Sequence, residues 1–170
     1  MEDNNIKSGL PVKQGSSEMV KKENNLPSID RISDLTCREL IREAINMLNY
    51  SYTPYSHFKV GVALLAKNSK IYTGCNIENA SYTPTNCAER TAFFKAVSEG
   101  VKDFAAIAVV GGPEGKIRDF CPPCGVCRQV MVEFCDPKNF YVILARSEDD
   151  YWIYTLEEIL PLSFTPKDLQ

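Results

Sequence analysis

Three cysteines stand within seven residues, Cys121-Pro122-Pro123-Cys124-Gly125-Val126-Cys127, and no other stretch restricts the fold and chemistry of this chain so strongly. The chain has seven cysteines, an odd number, and its first residues lack the apolar core and small-residue cleavage site of an export signal. That combination speaks against a disulfide framework and for reduced thiols in a soluble, cytoplasmic protein, where closely spaced cysteines bind metal or do chemistry.

A C-x-x-C alone fits structural zinc, redox exchange or simple packing. A further cysteine adds information, because it lies in Asn86-Cys87-Ala88-Glu89-Arg90. Cys87, Cys124 and Cys127 each fall at or near the first turn of a predicted helix. Free backbone N–H groups and the positive helix end stabilise a thiolate there. Three thiolates leave one tetrahedral zinc position open, as hydrolysis requires, and the metal brings the pKa of a bound water towards about 7. Glu89, two residues past Cys87, can reach that water without being a ligand and exchange protons with it. A structural site of Cys87, Cys121, Cys124 and Cys127 stays open as an alternative. Against it, Pro122 and Pro123 restrict how Cys121 and Cys124 could turn to one ion, and Glu89 would have no task. A redox pair of Cys124 and Cys127 lacks a thioredoxin-like strand in front of it.

Residues 1–33 are polar, mixed in charge and without apolar period, which predicts a flexible tail, with the domain spanning 34–170. Thr36 and Glu39 have capping-box spacing, and Ile41, Ala44, Ile45 and Leu48 then recur on one helical face, ending before Tyr52-Thr53-Pro54. Val60–Ala66 and Lys70–Asn76 read as strands joined by the turn Lys67-Asn68-Ser69. Cys87–Glu99 reads as a helix stopped by Gly100, Phe104–Val110 as a buried strand, and Cys124–Cys135 as a third helix. Gly111 to Phe120 reads as a long charged loop. Tyr141–Ala145 and Tyr151–Thr155 supply two more strands, and Thr155 with Glu158 opens a short last helix. The alternation predicts an α/β fold, with helices packed on a central five-stranded sheet.

The pairing of C-A-E with P-C-x-x-C is the signature of zinc nucleobase deaminases in its three-cysteine form. More closely, the chain resembles the small homotetrameric cytidine deaminases that act on free nucleosides. Five collinear stretches from about Leu35 to Gln170 carry the resemblance: 54–58, 74–80, 87–92, 123–130 and 160–164. It implies a three-layer α/β/α sandwich with a mixed sheet, and one Zn²⁺ per chain on Cys87, Cys124 and Cys127. It also implies hydrolytic attack at C4 of cytidine or deoxycytidine, with Glu89 moving protons, as a step of pyrimidine salvage. Arg90 would donate to ligand sulfurs, with Gln129 supporting it, and the carbonyl of Pro122 would face the leaving amino group. Asn76 and Glu78 would hold the ribose, Phe58 would pack on the pyrimidine, and Ala88 would border the substrate. Ala80, Tyr82 and Phe164 would reach a neighbouring subunit's site, so that sites are completed across a homotetramer. His57, the lone histidine, stays structural. Pro122 departs from the Ser or Thr usual there, and Cys121 is additional.

The formal charge of −3 argues against a broad surface for nucleic acid phosphates, and no apolar run approaches a membrane span. Rivals are a deaminase of the nucleoside antibiotic blasticidin S, a polynucleotide-editing deaminase and a binding module built on structural zinc. The Asn76 and Glu78 pair with Phe58 favours ordinary nucleosides, and the acidic, compact chain offers no groove for a polymer.

Overall fold

The computed structural model describes residues 32–169, so the expected tail lies outside the described residues except for Ile32 and Ser33. Helix α1 (Asp34–Met47) runs into a 3₁₀ turn (Leu48–Tyr50), followed by strands β1 (Phe58–Ala66) and β2 (Ile71–Cys75). Helix α2 (Ala88–Ser98), strand β3 (Phe104–Pro113), helix α3 (Gly125–Phe134) and strand β4 (Tyr141–Ser147) come next. Strand β5 (Asp150–Thr155), helix α4 (Leu156–Ile159) and a 3₁₀ turn (Pro166–Leu169) complete the order.

The five strands form one sheet in the order β2-β1-β3-β4-β5. β1 runs antiparallel to both β2 and β3, β3 parallel to β4, and β4 antiparallel to β5, which makes the sheet mixed. Period-two alternation divides each central strand between two cores. Ala63, Ala106, Ala108, Val110, Ile143 and Ala145 meet Leu40, Ile41 and Ala44 of α1. Val62, Leu64, Ile107, Val109, Val142 and Leu144 face Ala92, Phe93 and Ala96 of α2 and Met131 of α3. The result is the three-layer α/β/α sandwich that the resemblance implies. The α1 face is lined mostly by alanine, so a single helix can lie close to the sheet, whereas the other face carries the bulkier cluster of Phe93, Phe104, Phe134 and Phe140.

Two local expectations change. The cap of α1 is Ser33, whose hydroxyl accepts the N–H of Thr36 at 3.1 Å, so Thr36 lies inside the first turn and opens no capping box with Glu39. The charged loop expected from Gly111 is shorter, because β3 continues to Pro113, with Gly111 and Gly112 paired to Val60 and Lys59 of β1. Glycine suits that extension: a Cβ on Gly112 would stand 2.1 Å from the carbonyl oxygen of Lys116. The capping box of Thr155 and Glu158 forms as expected, with both reciprocal bonds present.

Candidate active site

Gly74 of β2 lets α2 approach the sheet. A Cβ there would lie 2.4 Å from the carbonyl oxygen of Ala88 and 2.7 Å from the amide nitrogen of Ala92, both backbone atoms of the first turns of α2. The segment entering the helix is tied down as well. Ile77 and Asn86 exchange two backbone hydrogen bonds of 2.9 Å. The Asn86 amide donates to the Thr91 hydroxyl at 3.0 Å, and that hydroxyl lies 3.0 Å from the Cys75 carbonyl and 3.2 Å from the Cys87 carbonyl. Asn86 and Thr91 therefore fix the start of α2. Neither was singled out from sequence, although a threonine one turn after Cys87 on a helix face packed against β2 is a legible sign.

Cys87 caps α2 and Cys124 caps α3, and neither sulfur accepts an N–H from its own helix. Both helix starts point their free donors into the same space, a setting that favours thiolates. The Sγ atoms of Cys87 and Cys124 are 3.9 Å apart and those of Cys124 and Cys127 3.5 Å apart, with all three atoms within 4.8 Å of one another. Zn–S bonds of about 2.3 Å in a tetrahedron put sulfurs about 3.8 Å apart, so the donor set fits zinc. Cys121 is outside the cluster. Its sulfur lies against β3, where a Cβ on Gly111 would come within 2.9 Å of it, and burial pushes its thiol up to about 11. The four-cysteine arrangement therefore does not form.

The charges around the cluster support ligation. A hydrogen bond from the Cys127 thiol, helped by Arg90, brings Cys87 down to about 5 in spite of burial. Cys127 is pushed up by the same bond and by burial, so its proton is the one that metal binding would have to displace. Arg90 donates through Nη2 to the Thr85 carbonyl at 3.0 Å and lies 3.8 Å from the Cys87 sulfur. Its buried Nε has no hydrogen-bond partner, a donor left over beside sulfurs that become acceptors when ionised. Glu89 is the one buried charged residue among the described residues, only 5% exposed. Burial, reinforced by the Cys87 thiolate, raises its carboxyl above the usual carboxylate range. A carboxyl that accepts and returns a proton near neutral pH is what a shuttle needs.

The other residues singled out from sequence divide into groups. The Asn76 side chain donates to the Phe58 carbonyl at 2.8 Å and accepts from the Val60 N–H at 2.9 Å, bridging to the start of β1. Glu78 accepts the N–H groups of Tyr55 and Ser56 at 3.0 and 3.2 Å, and hydrogen bonding, led by Ser56, lowers its pKa. Asn76 and Glu78 thus order the loop that presents Phe58, itself 38% exposed. His57 adopts a left-handed conformation, and its carbonyl accepts the Glu114 N–H at 2.7 Å, joining that loop to the end of β3. It takes no part in the thiol cluster. Ala80, Tyr82 and Phe164 are exposed, and the Tyr82 ring meets Tyr55 edge-on. Pro122 is exposed. The surroundings of Ala88 and Gln129 narrow what each can contribute. Ala88 is fully buried with its methyl in the core, which leaves only its backbone to border a ligand. Gln129 donates to the Phe164 carbonyl at 3.0 Å, a bond that anchors the C-terminal segment and does not serve the sulfurs.

The chain as a whole is similar to known proteins. The family described as "Cytidine and deoxycytidylate deaminase zinc-binding region" matches residues 36–143. A cytidine deaminase of Sporosarcina psychrophila is 50% identical over 131 residues, covering 77% of this chain and 93% of the relative. The crystal structure of cytidine deaminase from Burkholderia pseudomallei superposes with a TM-score of 0.67 at 44% identity, covering 74% of this chain and 97% of the other. A blasticidin-S deaminase of Bacillus cereus is 34% identical over 136 residues, covering 78% of this chain and 92% of that protein.

Proposed function

The chain belongs to the cytidine deaminase family, and on that premise we propose that it hydrolyses free cytidine and deoxycytidine to uridine and deoxyuridine, releasing ammonia. One observation carries the reading: three convergent thiols at two helix starts with a buried carboxyl, Glu89, in the first turn of α2. Cys87, Cys124 and Cys127 would hold the zinc, which would supply a water acidified enough to attack at neutral pH. Glu89 would take a proton from water and deliver it to N3 of the ring as oxygen adds at C4. It would then carry the proton of the new C4 hydroxyl to the 4-amino group, which leaves as ammonia. Arg90 faces the Cys87 sulfur and stabilises its charge. Asn76 and Glu78 hold the ribose, while Phe58 and the Ala88 backbone border the base.

The active species is a homotetramer whose neighbours contribute Ala80, Tyr82 and Phe164 to each site. Exposed apolar surface supports this. Phe94 is 48% exposed and Val126 59% exposed, and with Val130 and Phe134 they line one groove across α2 and α3, while Phe164 is 58% exposed. Residues 34–170 carry the activity. All seven cysteines are free, which suits the reducing cytoplasm. Among the described residues no helix is long and apolar enough to cross a membrane.

The test follows ultraviolet absorbance on cytidine, deoxycytidine and blasticidin S, with Glu89→Gln alongside. The expected result is turnover of both nucleosides and a loss of at least about two orders of magnitude in zinc-loaded Glu89→Gln. A zinc-loaded parent that leaves cytidine untouched while consuming blasticidin S would transfer the assignment to the antibiotic.

A further inference from the structure

The turn that carries Cys124 has little torsional freedom of its own. Pro122 and Pro123 have ring-locked φ angles, and Pro122, as a residue before proline, is also restricted in ψ. The main torsion left before Cys124 is ψ of Pro123, which sets the direction of the Pro123 carbonyl. That carbonyl is held. Pro123 is buried, and the Arg128 Nε donates to its oxygen at 2.8 Å. The same guanidinium donates through Nη1 to the Ile159 carbonyl at 2.6 Å, at the end of α4, where a helix leaves carbonyls without partners. The next residue, Gln129, fastens the Phe164 carbonyl. Both carbonyl contacts of Arg128 are part-buried, where a fork of fixed donors is most selective.

We propose that Arg128 is a positioning residue: it locks the peptide leading into Cys124 and ties it to the end of α4, so that the Cys124 sulfur is directed towards the other two. It touches neither sulfur nor substrate and acts through the Pro123 carbonyl. The proposal rests on the reading of Cys87, Cys124 and Cys127 as the zinc site. Its chemistry is specific to arginine. A lysine offers a point charge with no planar fork, and a glutamine is too short to reach both carbonyls.

The experiment measures zinc release from the purified, zinc-loaded protein into excess chelator, for the parent, Arg128→Gln, Arg128→Lys and Ile143→Ala. The last variant weakens the core beneath α1, on the opposite face of the sheet, and controls for lost stability. Cobalt(II) loading gives a second readout, because its visible bands report the geometry of the thiolates. Both Arg128 variants are expected to release zinc about tenfold faster or more, the range typical when a group supporting a ligand is lost. Their cobalt bands should shift, while those of Ile143→Ala stay in place. If Arg128→Gln fails to fold, Arg128→Lys decides. Release within twofold of the parent, or no faster than in Ile143→Ala, overturns the proposal. A parent that holds no zinc removes the reading of the metal site, and this proposal with it.

Discussion

Replacing Gly74 with alanine probes how closely α2 must sit on the sheet for the site to exist. The added methyl would stand 2.4 Å from the Ala88 carbonyl oxygen. A carbon and an oxygen in contact need about 3.2 Å, so the first turn of α2 has to retreat by roughly 0.8 Å, beyond what a well-packed interior gives freely. Overpacking of this kind costs about 1–3 kcal/mol. With a urea dependence of about 2 kcal/mol per molar, the unfolding midpoint should fall by roughly 0.5–1.5 M. Turnover should suffer more than stability, because the turn that moves carries Cys87 at the cap and Glu89 two residues on. A misplacement near 1 Å of reacting groups costs about 10²-fold. Urea titration followed by fluorescence, elemental zinc analysis and the cytidine absorbance assay at saturating substrate give the three numbers. A Gly74→Ala protein with the parent's midpoint and more than half its turnover would refute the claim that this glycine sets the height of the helix.

Cys121→Ser should keep its zinc by elemental analysis, whereas Cys124→Ser should lose most of it. A loss in the first approaching that in the second would bring Cys121 into the donor set. Phe164→Ala should impair cytidine turnover, with mass by light scattering read beside the kinetics, and a fully active monomer would end the shared-site reading. Burial, with the bond that Tyr151 donates to Asp34, pushes the phenol up to about 12. A raised acid of this kind contributes stability that is complete below its unfolded pKa of about 10 and is lost as pH rises through about 12. Tyr151→Phe should therefore show a shallower fall in melting temperature between pH 10 and 12, and an unchanged slope would contradict it.

Much of this was legible in the sequence. The helical period of Ile41, Ala44, Ile45 and Leu48 marked α1, short apolar runs marked the central strands, and the spacing of Cys124 and Cys127 put both near one helix start. The strand ends were less legible. Gly111 and Gly112 read locally as a loop, and only pairing with Lys59 and Val60, some fifty residues earlier, makes them strand. The cap of α1 was less legible because Ser33 and Thr36 both suit a helix start, and it is the Ser33 hydroxyl that takes the Thr36 N–H. Side chains whose work is done through backbone carbonyls left little trace. Gln129 and Arg128 look alike as polar neighbours of a cysteine, and their partners, at 159 and 164, lie a fold away.

Helices usually begin with a side chain that satisfies their own first amides, and α2 and α3 do not. Their caps are thiols that turn towards each other across a sequence separation of 37 residues. An ion gripping both ends closes that span as a covalent cross-link would, and a link of such length removes about 4 kcal/mol of entropy from the unfolded chain. The same grip stops two frayed ends at once. Loss of the ion would begin unravelling where the chemistry is done, so amide hydrogens of residues 88–91 and 125–128 would exchange early while the α1 layer stays protected. Inactive and partly open would then be one state of the molecule, with the metal as its clasp.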